Sequence, residues 1–186
     1  MIRITGGKFK KKKLISINNF VRPTSSLKRE AFFSIIESYA IKNSINLYKN
    51  KIFLDLFAGI GTMGLESISR GMDEVIFFEN NSEVLNILRK NCLAICNSNQ
   101  FTIYDEDLTN CELEIEFKNI SVIYIDPPYR KYNLTKLLNN LINKINKDTL
   151  ITLEASEKDN IEIPKNLNLF QKKTYGRTTI YFLKLS

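Results

Sequence analysis

A chain of 186 residues with 44% hydrophobic and 25% charged side chains can build one compact core with a short appendage, and cannot build two full domains. The lack of histidine excludes Ser-His-Asp and Cys-His catalysis. Three cysteines (Cys92, Cys96, Cys111) without a C-x-x-C pair are too few for a zinc site, so buried reduced thiols and no metal are expected.

The net charge of +7 is unevenly spread. Residues 1–30 hold nine basic residues against the single acid Glu30, a local +8, and the remainder sums to −1. A surplus confined to one end reads as a phosphate-binding arm, and a bare charge run reads as a solvated tail. Here the run is embedded in a patterned segment, which favours the arm. No apolar run reaches the length of a membrane span, and no apolar signal core follows the first charges, so a soluble cytoplasmic protein is expected.

In chain order, Ile2–Thr5, Gly6-Gly7 and a Lys-rich stretch to Ile17 form a short hairpin pattern. Arg22-Pro23-Thr24 ends the extended part. Thr24 or Ser25 can cap a helix to about Lys42, with Leu27, Ala31, Phe32, Ile35, Ile36, Tyr39 and Ala40 at helical spacing. The pattern then alternates: strand Ile52–Phe57, helix Thr62–Arg70, strand Glu74–Glu79, helix Ser82–Ile95, strands Phe101–Tyr104 and Val122–Asp126, helix Leu134–Ile145, strand Thr149–Glu154. Strands near Leu167–Lys173 and Thr178–Leu185 close the chain around Tyr175-Gly176-Arg177. Alternation of apolar strands and helices predicts an α/β fold, a mostly parallel sheet with helices on both faces and an antiparallel hairpin at one edge. The division expected is a basic hairpin and helix over 1–50 and a sheet domain over 51–186.

Gly59, Gly61 and Gly64 form G-x-G-x-x-G at a strand-to-helix turn, a pattern compatible with NAD, FAD or S-adenosylmethionine. Glu79, twenty residues after Gly59, ends the next strand where an acid can bond a ribose diol of any of the three. Asp55 helps to separate them. A carboxylate at the strand end suits a cationic ammonium and repels a pyrophosphate, which favours S-adenosylmethionine over the dinucleotides. A structural cap on the loop is the plainer alternative for Asp55. The candidate cofactor residues are Asp55, Phe57, Ala58, Gly59, Gly61, Gly64, Glu79 and Asn80. To these is added an acid after the third strand for the adenine amino group, Asp107 first and Asp105 second, with a solvated acidic turn as the alternative.

Asp126-Pro127-Pro128-Tyr129 follows the fourth strand of the sheet domain. Two prolines cannot continue a central ladder, and they leave a carbonyl free beside the Asp126 carboxylate. This pair of acceptors can hold both N–H bonds of a planar amino group, while the Tyr129 ring can stack on a base for ~1–3 kcal/mol. Fixing the nitrogen with its lone pair toward a methyl donor lowers a barrier by up to ~7–11 kcal/mol, and Asp126 stabilises the charge that develops. A rigid Pro-Pro turn is the bland reading, and it loses weight because a glycine loop precedes it on the same sheet edge.

These motifs resemble the class I amino-methyltransferases acting on nucleic acids. Arg3-Ile4-Thr5-Gly6-Gly7, Leu14, Arg22-Pro23-Thr24, Arg29-Glu30-Ala31-Phe32-Phe33 and Tyr175-Gly176-Arg177-Thr178 resemble, more narrowly, the RsmD-type bacterial 16S ribosomal RNA guanine-N2 methyltransferases. The resemblance implies a Rossmann-like, seven-stranded, mostly parallel sheet with an antiparallel last strand and a small N-terminal RNA-gripping extension. It implies methyl transfer from S-adenosylmethionine, leaving S-adenosylhomocysteine, to the N2 amino group of a guanine in 16S rRNA. The substrate would be an assembled or assembling 30S particle and the enzyme a monomer. It places Arg22 and Thr24 near cofactor or base, and Arg29-Glu30 where they help close the site. Arg3, Lys8, Lys10, Lys11, Lys12, Lys13, Arg22, Thr24 and Arg29 are the expected RNA contacts. The chain departs from the family at Ser26-Leu27, where Asp-Arg is common, and near Lys11, where a glycine is common.

Three other readings compete. A DNA adenine-N6 or cytosine-N4 methyltransferase would use the same Asp-Pro-Pro-Tyr but needs a target-recognition region that 186 residues hardly accommodate. An NAD-dependent oxidoreductase explains the glycine loop and leaves Asp126 unexplained. A non-catalytic RNA-binding module explains the basic arm alone.

Overall fold

The computed structural model describes residues 2–16, 25–110, 112–128, 131–156, 159 and 161–186. Two short strands, β1 (Ile2–Arg3) and β2 (Lys13–Leu14), pair antiparallel in a hairpin. The turn between them runs through Lys11, which adopts φ 72° and stands where the resemblance leads one to expect glycine. Helix α1 (Ser26–Lys42) follows, with the Ser25 hydroxyl accepting the Lys28 amide as its N-cap.

The remainder alternates as expected: β3 (Ile52–Asp55), α2 (Thr62–Arg70), β4 (Glu74–Phe78), α3 (Ser82–Ile95), β5 (Phe101–Tyr104), β6 (Ile120–Ile125), α4 (Leu134–Ile142), β7 (Leu150–Ser156), β8 (Leu167–Tyr175) and β9 (Thr178–Leu185). The seven longer strands form one sheet in the order β5-β4-β3-β6-β7-β9-β8, in which β9 alone runs antiparallel to its neighbours. Every residue of β6 is buried, as a central strand covered on both faces requires. One face packs under α1, α2 and α3 through Phe32, Phe33, Leu65, Leu88 and Phe53; the other lies under α4 through Leu137, Leu138, Leu141 and Ile123.

Boundaries differ from the sequence reading where neighbours decide them. β3 stops at Asp55 because the chain must turn into the glycine loop, although the Leu56 amide still bonds the Tyr124 carbonyl. β7 runs on to Ser156 because β9 pairs with it that far. On α1 the buried stripe is Arg29, Phe32, Phe33, Ile36 and Ala40, and Leu27 is 72% exposed. The apolar periodicity caught Phe32, Ile36 and Ala40 of this face and missed Phe33 and Arg29, the latter because a charged residue does not register as apolar. Phe32 of α1 packs edge-on against Tyr124 of β6 with ring centroids 5.4 Å apart, and its ring lies 5.0 Å from that of Phe33 and 5.8 Å from that of Phe182.

Candidate active site

Three parallel strands deliver three acids to one end of the sheet. Asp55 ends β3, Asp126 follows the last residue of β6, and Glu154 sits on β7; Ile125 pairs with Leu153, so Asp126 and Glu154 stand on the next rung. All three line a single cavity of about 590 Å³ at the carboxyl ends of the strands, where ligands of open α/β sheets bind.

The inner half of the cavity is built by the glycine loop. Gly59 and Gly61 adopt φ 55° and 85°, and a Cβ on Gly61 would fall 2.6 Å from Leu88 Cδ1. A Cβ on Gly64 would lie 2.3 Å from the Phe77 ring, so this glycine sets how closely α2 packs on the sheet. The Glu79 carboxylate accepts the amides of Gly59, Asn80 and Asn81, tying the loop to the end of β4. Phe57, Ala58, Gly59, Glu79 and Asn80 all face the cavity, while Gly61 and Gly64 shape it from behind.

Asp55 is buried, with Oδ2 accepting the Gly64 amide at 3.3 Å and Oδ1 without a hydrogen-bond partner among the described residues. An orphaned buried carboxylate oxygen costs energy unless something cationic completes it. Burial, partly opposed by the Gly64 amide and reinforced by Asp126 and Glu79, pushes its pKa up to about 8. A ligand ammonium at Oδ1 would satisfy the oxygen and restore the charge, so the residues present fit S-adenosylmethionine better than a pyrophosphate.

Of the acids after β5, Asp107 is turned outward, its Oδ1 accepting the Thr109 amide at 2.8 Å and the Tyr132 hydroxyl at 3.3 Å. The Thr109 hydroxyl, which also donates to Oδ1, and then the Thr109 amide hold its pKa below the ordinary carboxylate range. Glu106 and Leu108 line the cavity in this region, and Asp105 is exposed. Tyr132, edge-on to Phe57 with ring centroids 4.7 Å apart, closes the wall there.

The outer half holds Asp126, Pro127 and Pro128 together with Ser25 and Tyr175, and with three side chains to which the sequence reading gave no place in the site: Lys28, Tyr124 and Glu154. Glu154 is buried, bonds the Tyr124 hydroxyl at 2.5 Å through Oε1 and pairs with Lys28 through Oε2. Burial and the Glu154 charge push the Asp126 pKa up; Lys28 and the Tyr124 hydroxyl pull it down. Tyr129, Arg22 and Thr24 lie outside the described residues.

The basic arm divides. Arg3, Lys8 and Lys10–Lys13 are exposed on the hairpin. Arg29 is 2% exposed, donates to the Arg3 carbonyl at 2.6 Å and lies 3.8 Å from Glu66. A guanidinium enclosed in this way is placed to lock α1 to the arm, not to meet a phosphate. Arg3-Ile4-Thr5-Gly6-Gly7 has a similar use. Glu66, fully buried on α2, accepts the Thr5 amide and hydroxyl and the Gly6 amide at 2.7–2.8 Å, and Arg70 at 3.0 Å. A Cβ on Gly7 would sit 1.8 Å from the Ser69 carbonyl oxygen, so only glycine lets the hairpin lie this close.

Sheet order, reversed last strand and glycine loop together define the fold of the class I methyltransferases, a Rossmann-like α/β architecture. It is shared by the putative methyltransferase yhhF from Escherichia coli, with a TM-score of 0.82 over 100% of this chain and 98% of that one, at 23% identity. A family profile described as "Conserved hypothetical protein 95" matches residues 2–184. Ribosomal RNA small subunit methyltransferase D of Buchnera aphidicola subsp. Acyrthosiphon pisum is 32% identical, the match covering 97% of this chain and 91% of the relative. The protein of the same name from Haemophilus influenzae is 28% identical over 94% and 89%. The chain belongs to this family, that of the small-subunit ribosomal RNA methyltransferase D proteins.

Proposed function

We propose that this protein transfers a methyl group from S-adenosylmethionine to the exocyclic N2 amino group of a guanine in 16S ribosomal RNA, on an assembled or assembling 30S particle. The observation that carries the reading is the sharing of one cavity by Asp55, Gly59 and Asp126, a cation-binding end and an amine-binding end on adjacent strands. The family assignment narrows the substrate to ribosomal RNA of the small subunit.

When bound, the cofactor supplies an electrophilic methyl group on a sulfonium. The chain does the rest by positioning. The Asp55 Oδ1 oxygen accepts the cofactor ammonium, Glu79 faces the ribose hydroxyls, and the glycine loop lets the nucleoside approach the backbone. Adenine contact falls to the segment 105–108; Glu106 and Leu108 face the cavity, and Asp107 needs to give up its Tyr132 bond to reach it. At the other end, Asp126 and the Pro127 carbonyl accept the two N–H bonds of the amine. Held in this way, the nitrogen would present its lone pair to the methyl group, and Tyr129 would stack on the base. Asp126 offsets the positive charge that grows on nitrogen and takes its proton, directly or through water. An NAD-dependent oxidoreductase would set a pyrophosphate beside the unpaired Asp55 oxygen, which like charge disfavours.

Incubation with methyl-labelled S-adenosylmethionine and undermethylated 30S particles tests the reading. Label in 16S rRNA at guanine N2 is expected, and duplex DNA stays unlabelled. Label on DNA alone, or transfer that survives Asp126→Ala, contradicts it.

A further inference from the structure

Glu154 is not needed to hold the cofactor or to grip the amine, yet it places a second buried carboxylate one strand beyond Asp126. Like charges on adjacent strand ends oppose one another, and burial raises the cost. Lys28 and Tyr124 contribute one bond each to its two oxygens, and a carboxylate oxygen can accept two, so among the described residues each keeps an unused acceptor position on a side chain that lines the cavity. The Lys28 ammonium, with three donors, spends one on Glu154. Nearby, the Tyr175 hydroxyl is buried without a hydrogen-bond partner among the described residues. This half of the cavity therefore has polar capacity that the protein itself does not consume.

The row runs in a fixed order. From the cofactor outward along β3, β6 and β7 come Asp55, Asp126 and Glu154, with Lys28 of α1 bonded to the last. A base whose amino group sits on Asp126 has beside it an acceptor, Glu154, and a donor paired to that acceptor, Lys28. Among the common bases, guanine alone presents the complement along one edge: N2 amine, N1–H, then the O6 acceptor. Adenine and cytosine carry a lone pair on the ring nitrogen beside their amino group, and it would point at the carboxylate.

We infer that Glu154 and Lys28 form the base-reading subsite of this enzyme, Glu154 accepting the guanine N1–H and Lys28 donating to O6. The inference rests on the methyl-transfer reading above and adds to it the residues that choose the base. The Tyr124 hydroxyl donates to Glu154 Oε1 and so restrains the carboxylate.

The test uses 30S particles reconstituted from 16S rRNA ligated to carry either guanine or 2-aminopurine at the nucleotide the wild-type protein methylates. 2-Aminopurine keeps the N2 amine but has a lone pair at N1 and no O6. Glu154→Gln is expected to lower the guanine rate about 100-fold, the worth of a hydrogen bond to a charged group. Its amide N–H, facing the N1 lone pair, should raise the rate on 2-aminopurine and narrow the guanine preference by at least as much. Lys28→Met, at a partly exposed helical position, should narrow that preference about 10-fold and guards against a misfolded Glu154 variant. S-Adenosylmethionine affinity, read by calorimetry, should stay within about 3-fold for both. A guanine preference unchanged in both variants overturns the inference and leaves the methyl-transfer reading standing. Failure of the wild-type protein to methylate guanine overturns both.

Discussion

At the scale of single residues, the site trades stability for binding, and Asp55 shows the trade most clearly. Its folded pKa, about 8, lies far above that of an exposed aspartate, so the folded state loses stability as pH rises from about 4 to 8 and the group must ionise without a partner. Asp55→Asn removes that cost. It should raise the melting temperature of the ligand-free protein at pH 8, leave it nearly unchanged at pH 4, and abolish S-adenosylmethionine binding; equal melting shifts at both pH values would contradict the assignment. Binding to the wild-type protein below pH 8 should also release a proton, visible in calorimetry as a dependence on buffer ionisation enthalpy. Lys11 carries a different strain, with φ 72° in a side-chain-bearing residue. Lys11→Gly should stabilise the fold by about 1 kcal/mol in urea titration and Lys11→Ala should not. Residues of this kind were unevenly legible in the sequence. Asp55, Gly59, Glu79 and Asp126 stand in motifs whose spacing reports their place. Lys28, Tyr124 and Glu154 each look ordinary in sequence, and only pairing between β6 and β7 and the docking of α1 bring them together.

At the scale of elements, the strand–helix alternation was readable because buried parallel strands must be apolar throughout, as β6 is. The role of the N-terminal motif was not, because it depends on a polar group inside a helix. Glu66 sits within α2 between Leu65 and Ser67, and nothing local indicates that it gathers Thr5, Gly6, Arg29 and Arg70. Removing it strands a buried guanidinium and two backbone amides. Glu66→Ala should cost about 3–5 kcal/mol by chemical denaturation, far more than a surface substitution. A loss under about 1 kcal/mol would show that the hub is not what joins hairpin, α1 and α2. Arg29, grouped by charge with the exposed lysines, belongs to this hub; a charge count cannot distinguish a paired interior arginine from a free one.

At the scale of the whole molecule, the hairpin presents Lys8 and Lys10–Lys13 to solvent, and none of them lines the cavity that holds the acids at the strand ends. Replacing Lys10–Lys13 with glutamate should weaken binding to 30S particles and flatten its dependence on salt, with the rate on bound particles little changed; an unaltered salt slope would remove the hairpin from the RNA contacts. The acid limb of activity belongs to the whole cluster. Asp126 must be ionised to accept the amine, and its raised pKa makes activity fall at a higher pH than an exposed carboxylate would; Lys28→Met should move that limb higher still. The most direct measurement is transfer of labelled methyl groups to undermethylated 30S particles by wild-type protein and by Asp126→Ala, with S-adenosylmethionine affinity measured in parallel. Loss of transfer by at least about 1000-fold with affinity retained is the predicted result, in the range of losing an electrostatic stabiliser of the transition state. Transfer by the variant at the wild-type rate would contradict the account.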